Sequence, residues 1–256
     1  MKELIDDMTW SFSRRDSWDN CKLAWKMSYI DKLPQEGNGF SDAGSLAHDI
    51  FEKYGRGELD LKDMAHNWLS RYDDEVVNAF PNFAIDLHQH YKHKVFKFFD
   101  TFQGFSSETL DVELEFNYEL PNGDRLKGFI DRVSEGIIVT DYKISKKFTK
   151  KKLEEKKRQI LLYAPAIVEK YGELPKSGYF FFFQTGEYLE VNITQKDVDE
   201  ALKWMTDGIE EIKQSTEFPA RIDSMTDKEV AKDMMCSSLC GFRNQCQSKL
   251  ERIGIT

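Results

Sequence analysis

The chain has no apolar run approaching the roughly 20 residues of a membrane-spanning helix. Its longest run, Tyr179-Phe180-Phe181-Phe182-Phe183, has the length of a buried strand. Internal repeats, low-complexity tracts and Pro/Gly/Ser-rich linkers are also missing, so the 256 residues read as one domain, or as a core with a substantial insertion. Met1-Lys2-Glu3 opens no signal-peptide pattern, and a cytoplasmic protein with no membrane partner is expected. Cysteine is scarce, with four residues in all. In a reducing compartment four thiols favour metal ligation over two disulfides. Positive charge is in deficit: the formal net charge of −9 is a weak argument against indiscriminate nucleic-acid binding.

Aromatic bulk is plentiful. Forty per cent of the residues are hydrophobic and 19 are Phe, enough for a sizeable core. The positive charge that exists is concentrated. Residues 143–158, KISKKFTKKKLEEKKR, hold nine Lys/Arg against two Glu, a local balance of +7. Such a run is most often a solvated helix face. This one begins beside a candidate catalytic lysine, which makes a phosphate-tracking surface the better reading.

The periodicity divides the chain. Helices are predicted after Ser11–Ser13, after a Ser41-Asp42 cap, and through a helical insertion (55–108) with Trp68, Tyr72, Tyr91 and Phe98 at helical spacing. Leu110, Val112, Leu114, Phe116 and Tyr118 then alternate with polar residues, Glu113 and Glu115 among them, as a half-buried strand. The turn Pro121–Asp124 leads to a strand over Arg125–Val133, and a third runs Ile137–Lys143. A basic helix over about 150–171, strands near 178–184 and 187–193, and a helix opened by Thr194 complete the pattern.

Chemistry gathers at the strand ends. Asp141 and Lys143 are two apart, so they project from one strand face, and a meander brings Asp131 beside them. Asp-x-Lys is a weak pattern that often marks only a surface ion pair. Here the apolar Ile137–Val139 delivers both charges to a strand end, which favours function. His48 lies four residues after Gly44 on one helix face, and that glycine suggests close approach to the helix. An imidazole and two carboxylates make a hard, mixed donor set for Mg²⁺ or Mn²⁺, with the histidine favouring Mn²⁺. Gln159 and Tyr163 share a helix face, as a surface glutamine and core tyrosine or as site residues. In the functional reading Gln159 bonds near the metal and Tyr163 touches nucleic acid. Glu113 and Glu115 read as surface acids or outer supports. Cys21, Cys236, Cys240 and Cys246 suit an iron–sulfur cluster, with zinc or disulfides as alternatives.

In this order the motifs resemble the RecB-like branch of the PD-(D/E)xK nuclease superfamily, with the iron–sulfur staple of AddB-type and CRISPR adaptation nucleases. The resemblance rests on Cys21, Gly44…His48, Gly128-Phe129-Ile130-Asp131-Arg132, Asp141-Tyr142-Lys143, Gln159…Tyr163 and the cysteine tail, across nearly the whole chain. Lys22 stands where the family has proline, and three residues rather than two separate Cys236 from Cys240. It implies a single α/β nuclease domain (1–256) with a restriction-endonuclease-like mixed sheet, the helical insertion and an iron–sulfur cap (21 and 236–246). It implies metal ligation by His48, Asp131, Asp141 and the Tyr142 carbonyl, a catalytic role for Lys143, and a [4Fe–4S] cluster on the four cysteines. The implied activity is Mn²⁺- or Mg²⁺-dependent hydrolysis of DNA, single-stranded or at duplex ends, as an exonuclease. The implied setting is recombination, repair, phage replication or CRISPR adaptation. Without a Walker A pattern any helicase would be a separate partner, as would an annealing protein or CRISPR adaptation proteins. Competing readings are a non-catalytic DNA-binding adaptor that keeps the fold and an iron–sulfur redox sensor.

Overall fold

A computed structural model describes residues 2–81, 85–230 and 232–246. Among the described residues six α-helices precede the strands: α1 (Lys2–Asp6), α2 (Phe12–Asn20), α3 (Lys22–Tyr29), α4 (Gly39–Gly55), α5 (Met64–Glu75) and α6 (Leu87–Thr101). Strands β1 (Thr109–Glu119), β2 (Arg125–Ser134) and β3 (Ile138–Lys143) form an antiparallel meander. Helices α7 (Lys150–Leu161) and α8 (Ala164–Tyr171) then cross over to β4 (Ser177–Phe182), which pairs parallel to β3. β5 (Glu187–Val191) closes one mixed five-stranded sheet in the order β1-β2-β3-β4-β5. Helices α9 (Gln195–Gln214) and α10 (Asp227–Val230) follow. No helix among the described residues is long and apolar enough to cross a membrane.

The phenylalanine run explains the layering. A strand covered on both faces reads as a continuous apolar stretch rather than an alternating one. Phe180 and Phe182 enter one core with Trp10, Trp18, Trp25, Ile160 and Met205. Phe181 and Phe183 enter the other with Phe51, Trp68, Tyr72 and Phe99. All four are at most 1% exposed, and full burial of each contributes roughly 1.5–3 kcal/mol. The second core is built by α4, α5 and α6, so the expected helical insertion packs onto the sheet. Trp68 Nε1–H donates to the Lys92 carbonyl and Tyr72 Oη–H to that of His88, clasping α5 to α6.

Two boundaries differ from expectation. Asn38, not Ser41-Asp42, caps α4: its Oδ1 accepts the Ser41 N–H at 3.0 Å. Asp42 instead accepts from the backbone and side-chain amide of Asn78. The basic helix is two helices rather than one, because Pro165 sits in the first turn of α8, where it cannot continue the ladder of α7. That break places Tyr163 at the junction, facing the sheet.

Candidate active site

The ends of β2 and β3, the middle of β1, α4 and the end of α7 converge on one cleft. It is lined by His48, Glu113, Phe129, Asp131, Asp141, Lys143, Gln159 and Tyr163, among others. The strand irregularity that builds it is visible in the backbone. Glu113 takes a left-handed conformation (φ 49°), which non-glycine residues rarely adopt. Side-chain alternation changes there. Leu114 packs on the core that holds Ile130 and Val133, whereas Val112 meets α4 at Gly55. In β2, Arg132 lies over Phe105 on the opposite side from Ile130 and Val133. Glu113 and Asp131 sit where both strands change the face they present, within one continuous register, and both carboxylates line the cleft.

His48, Glu113 and Asp131 each offer a donor atom within 4.8 Å of the others. His48 Nε2 lies 3.1 Å from the Tyr142 carbonyl oxygen, and Nδ1 lies 3.8 Å from Asp131 Oδ2. With Nε2–H donating to that carbonyl, the Nδ1 lone pair faces the carboxylates, the tautomer a metal ligand needs. Asp131 Oδ2 also accepts the Tyr142 N–H at 2.5 Å.

A second chain of contacts runs beside this trio. Lys143 Nζ donates to Gln159 Oε1 at 3.2 Å, and Gln159 Nε2–H to Tyr163 Oη at 3.1 Å. Tyr163 Oη–H donates to Asp141 Oδ1 at 2.8 Å. The Lys143 ammonium closes the loop as an ion pair 2.5 Å from Asp141 Oδ2, a buried atom whose partner is that charge.

The electrostatics follow from burial. Desolvation, with Asp141 beside it, holds the Asp131 carboxyl well above the usual range. Desolvation and then Asp131 push Glu113 up to about 7. Burial lowers His48, which keeps its imidazole neutral. Three donors held this close, with the acids resisting ionisation, fit a divalent cation. The trio could hold it, with Asp141 at its margin.

Sequence reasoning was incomplete at three points. Glu113 joins the donor trio rather than remaining on the surface, and the signal lay in the hairpin. The register set at Glu119↔Arg125 carries Leu114 opposite Ile130, one step from Glu113 facing Asp131. Tyr163 is 3% exposed and its hydroxyl is committed to Asp141, so it supports the acid instead of contacting nucleic acid. Gly44 is not crowded by the protein: a Cβ there would meet only Ile144, at an ordinary 3.5 Å.

Cys21, Cys236, Cys240 and Cys246 line a single cavity, joining the first thirty residues to the tail. None is in a disulfide. Cys21 Sγ accepts backbone N–H groups from Ala24 and Arg221 at 3.4 and 3.3 Å. Cys240 Sγ accepts that of Phe242 at 3.4 Å. Met235–Leu239 form a wide π-type turn closed by Cys240 N–H to the Met235 carbonyl (2.7 Å), which absorbs the extra residue between Cys236 and Cys240. Burial, then Asp233 and Cys21, push the Cys236 thiol up to about 12.

Residues 9–247 match the model of the PD-(D/E)XK nuclease superfamily, and the chain belongs to that superfamily. No curated protein matches it in sequence. Among solved structures it is similar to a crystallised Eubacterium rectale protein described as a "Putative exonuclease". That similarity has a TM-score of 0.50 and 13% identity, over 89% of this chain and 88% of the other. The structure of SSO0001 aligns over 93% of this chain and 95% of its own, at 14% identity and a TM-score of 0.34.

Proposed function

We propose that the protein is a divalent-metal-dependent DNA exonuclease acting on single strands. The observation that carries this reading is the donor trio His48, Glu113 and Asp131 set against the Lys143–Gln159–Tyr163–Asp141 chain. A Mn²⁺ or Mg²⁺ ion held there would polarise the scissile phosphate and lower the pKa of a bound water. The protein's part is positioning and charge. Lys143 presents its ammonium where negative charge develops on the phosphate, and Gln159 keeps that ammonium aimed. Tyr163 holds the Asp141 carboxylate in one rotamer. In-line attack by water oxygen forms one P–O bond and breaks the bond to the leaving sugar oxygen, which takes up a proton. Lys143, Lys152, Lys156 and Gln159 line a second cleft that meets the first at Lys143 and Gln159, a path suited to a phosphate backbone. The exonuclease name of the Eubacterium rectale protein is in keeping with this reading.

The same reading gives the four cysteines a [4Fe–4S] cluster with a structural role, stapling Cys21 to the tail. What supports it is that four thiols from the two ends of the chain line one cavity and none is in a disulfide.

The test is cleavage of 5′- and 3′-labelled single-stranded and duplex DNA by anaerobically purified protein, with Mn²⁺, Mg²⁺ or EDTA. Metal-dependent loss of end label from single strands, abolished by Lys143→Ala and Asp131→Ala, is expected. Binding without cleavage in every metal would replace this reading with a non-catalytic adaptor.

A further inference from the structure

Phe129 is 52% exposed in the middle of β2, between Gly128 and the fully buried Ile130. Single exposed apolar residues are common and usually need no explanation. This one differs in its position. It lines the same cleft as Glu113, Asp131 and Lys143. No aromatic ring among the described residues stacks on it, and its cross-strand partner is the exposed acid Glu115. The core has no need of it. Phe116 already fills the space against Gly128, so closely that a Cβ on that glycine would stand 2.7 Å from the ring. Two residues along a strand span about 6.8 Å, the reach of one extended nucleotide, so a phosphate at Asp131 places a neighbouring base at Phe129.

We propose that Phe129 is the stacking platform for the base next to the scissile phosphate. This inference rests on the nuclease reading above and deepens its substrate class. An unpaired nucleotide can turn its base onto such a ring freely, so a single strand is the favoured substrate and a duplex enters by fraying. The apolar ring exposed beside a cluster of charged groups supplies a face that every base can use, which suits a sequence-tolerant nuclease.

The experiment compares wild type with Phe129→Ala, Phe129→Tyr and Phe129→Trp on three substrates with Mn²⁺. These are oligo-dT, the same oligonucleotide abasic beside the cleaved bond, and an oligonucleotide abasic at every position, which has no base and no aromatic ring. Phe129→Ala is expected to raise KM for oligo-dT roughly 5- to 150-fold, the usual range for one base–aromatic stack. Hydrolysis of the fully abasic oligonucleotide by Phe129→Ala matches that by wild type, and Tyr or Trp restores the oligo-dT KM. The abasic change should cost wild type the same factor and Phe129→Ala nothing further, as for two deletions of one contact. An equal loss on the base-free substrate, or undiminished abasic sensitivity in Phe129→Ala, would overturn the proposal. Fluorescence of a 2-aminopurine oligonucleotide bound in Ca²⁺ reads the same contact without hydrolysis. Quenching by wild type and not by Phe129→Ala supports it even if no cleavage occurs, and equal quenching by both refutes it.

Discussion

Replacing Glu113 with glutamine should stabilise the metal-free protein and weaken its response to metal. The carboxyl is held protonated up to about 7, against an ordinary 4.5, first by desolvation and then by Asp131. Such a difference corresponds to about 3.4 kcal/mol at full strength. The side chain is only half-buried, so solvent screening reduces this to about 1.5 kcal/mol. The sign follows from linkage. A carboxyl whose folded pKa is raised stabilises the native state least when ionised, so the penalty is absent below about 4.5, grows as pH rises, and is complete above about 7. Glu113→Gln keeps the shape and removes the charge. In EDTA at pH 8 it should melt about 3–6 °C above wild type, at the 2–4 °C per kcal/mol usual for a chain of this size. Most of that advantage should be gone by pH 5. Saturating Mn²⁺ should reverse the order, because binding at 100 times Kd adds about 2.7 kcal/mol to wild type and the variant lacks one ligand. Thermal melts at both pH values, with and without Mn²⁺, check this. An advantage that ignores pH, or equal stabilisation of both proteins by Mn²⁺, would refute Glu113 as a member of the donor trio.

Tyr163→Phe leaves the buried Asp141 Oδ1 without its donor and should cost about 1–3 kcal/mol of stability at pH 7, read by urea unfolding, with slower hydrolysis alongside. Cys21→Ser should reduce the iron content of anaerobically purified protein from about four per chain and lower its melting temperature, measured by iron assay and calorimetry. Retention of full iron content would remove Cys21 from the ligand set. Gly178→Ala places a methyl 2.1 Å from Cγ2 of the fully buried Ile160 and should destabilise by about 1–3 kcal/mol, visible as a lower melting temperature.

Local patterns carried much of this protein. Period-two alternation marked β1, the turn at Pro121–Asp124 set the hairpin, and Thr194 caps α9 as its sequence context predicts. The phenylalanine run marked β4 as a buried strand. Asp141 and Lys143 were legible together because two residues on one strand share a face whatever else the chain does. The spacing of Gln159 and Tyr163 placed them on one helical side, and their 3.1 Å hydrogen bond follows from it.

What remained hidden depended on parts of the chain that meet only after folding. The left-handed φ of Glu113 is a backbone state that β1 takes where its pairing with β2 changes face, and no residue type announces it. The Tyr163 hydroxyl reaches Asp141 because Pro165 ends one helix and the next packs under the sheet. Cys21 and Cys246 share a cavity across nearly the full length of the chain, a grouping expected from the family resemblance and not from any local pattern. The sequence by itself determined the elements, the motif residues and their chemical types, since these follow from periodicity and side-chain chemistry. Only the tertiary structure decided which carboxylates face one another, because that depends on strand register and burial, where a one-residue step moves a charge from solvent into the site.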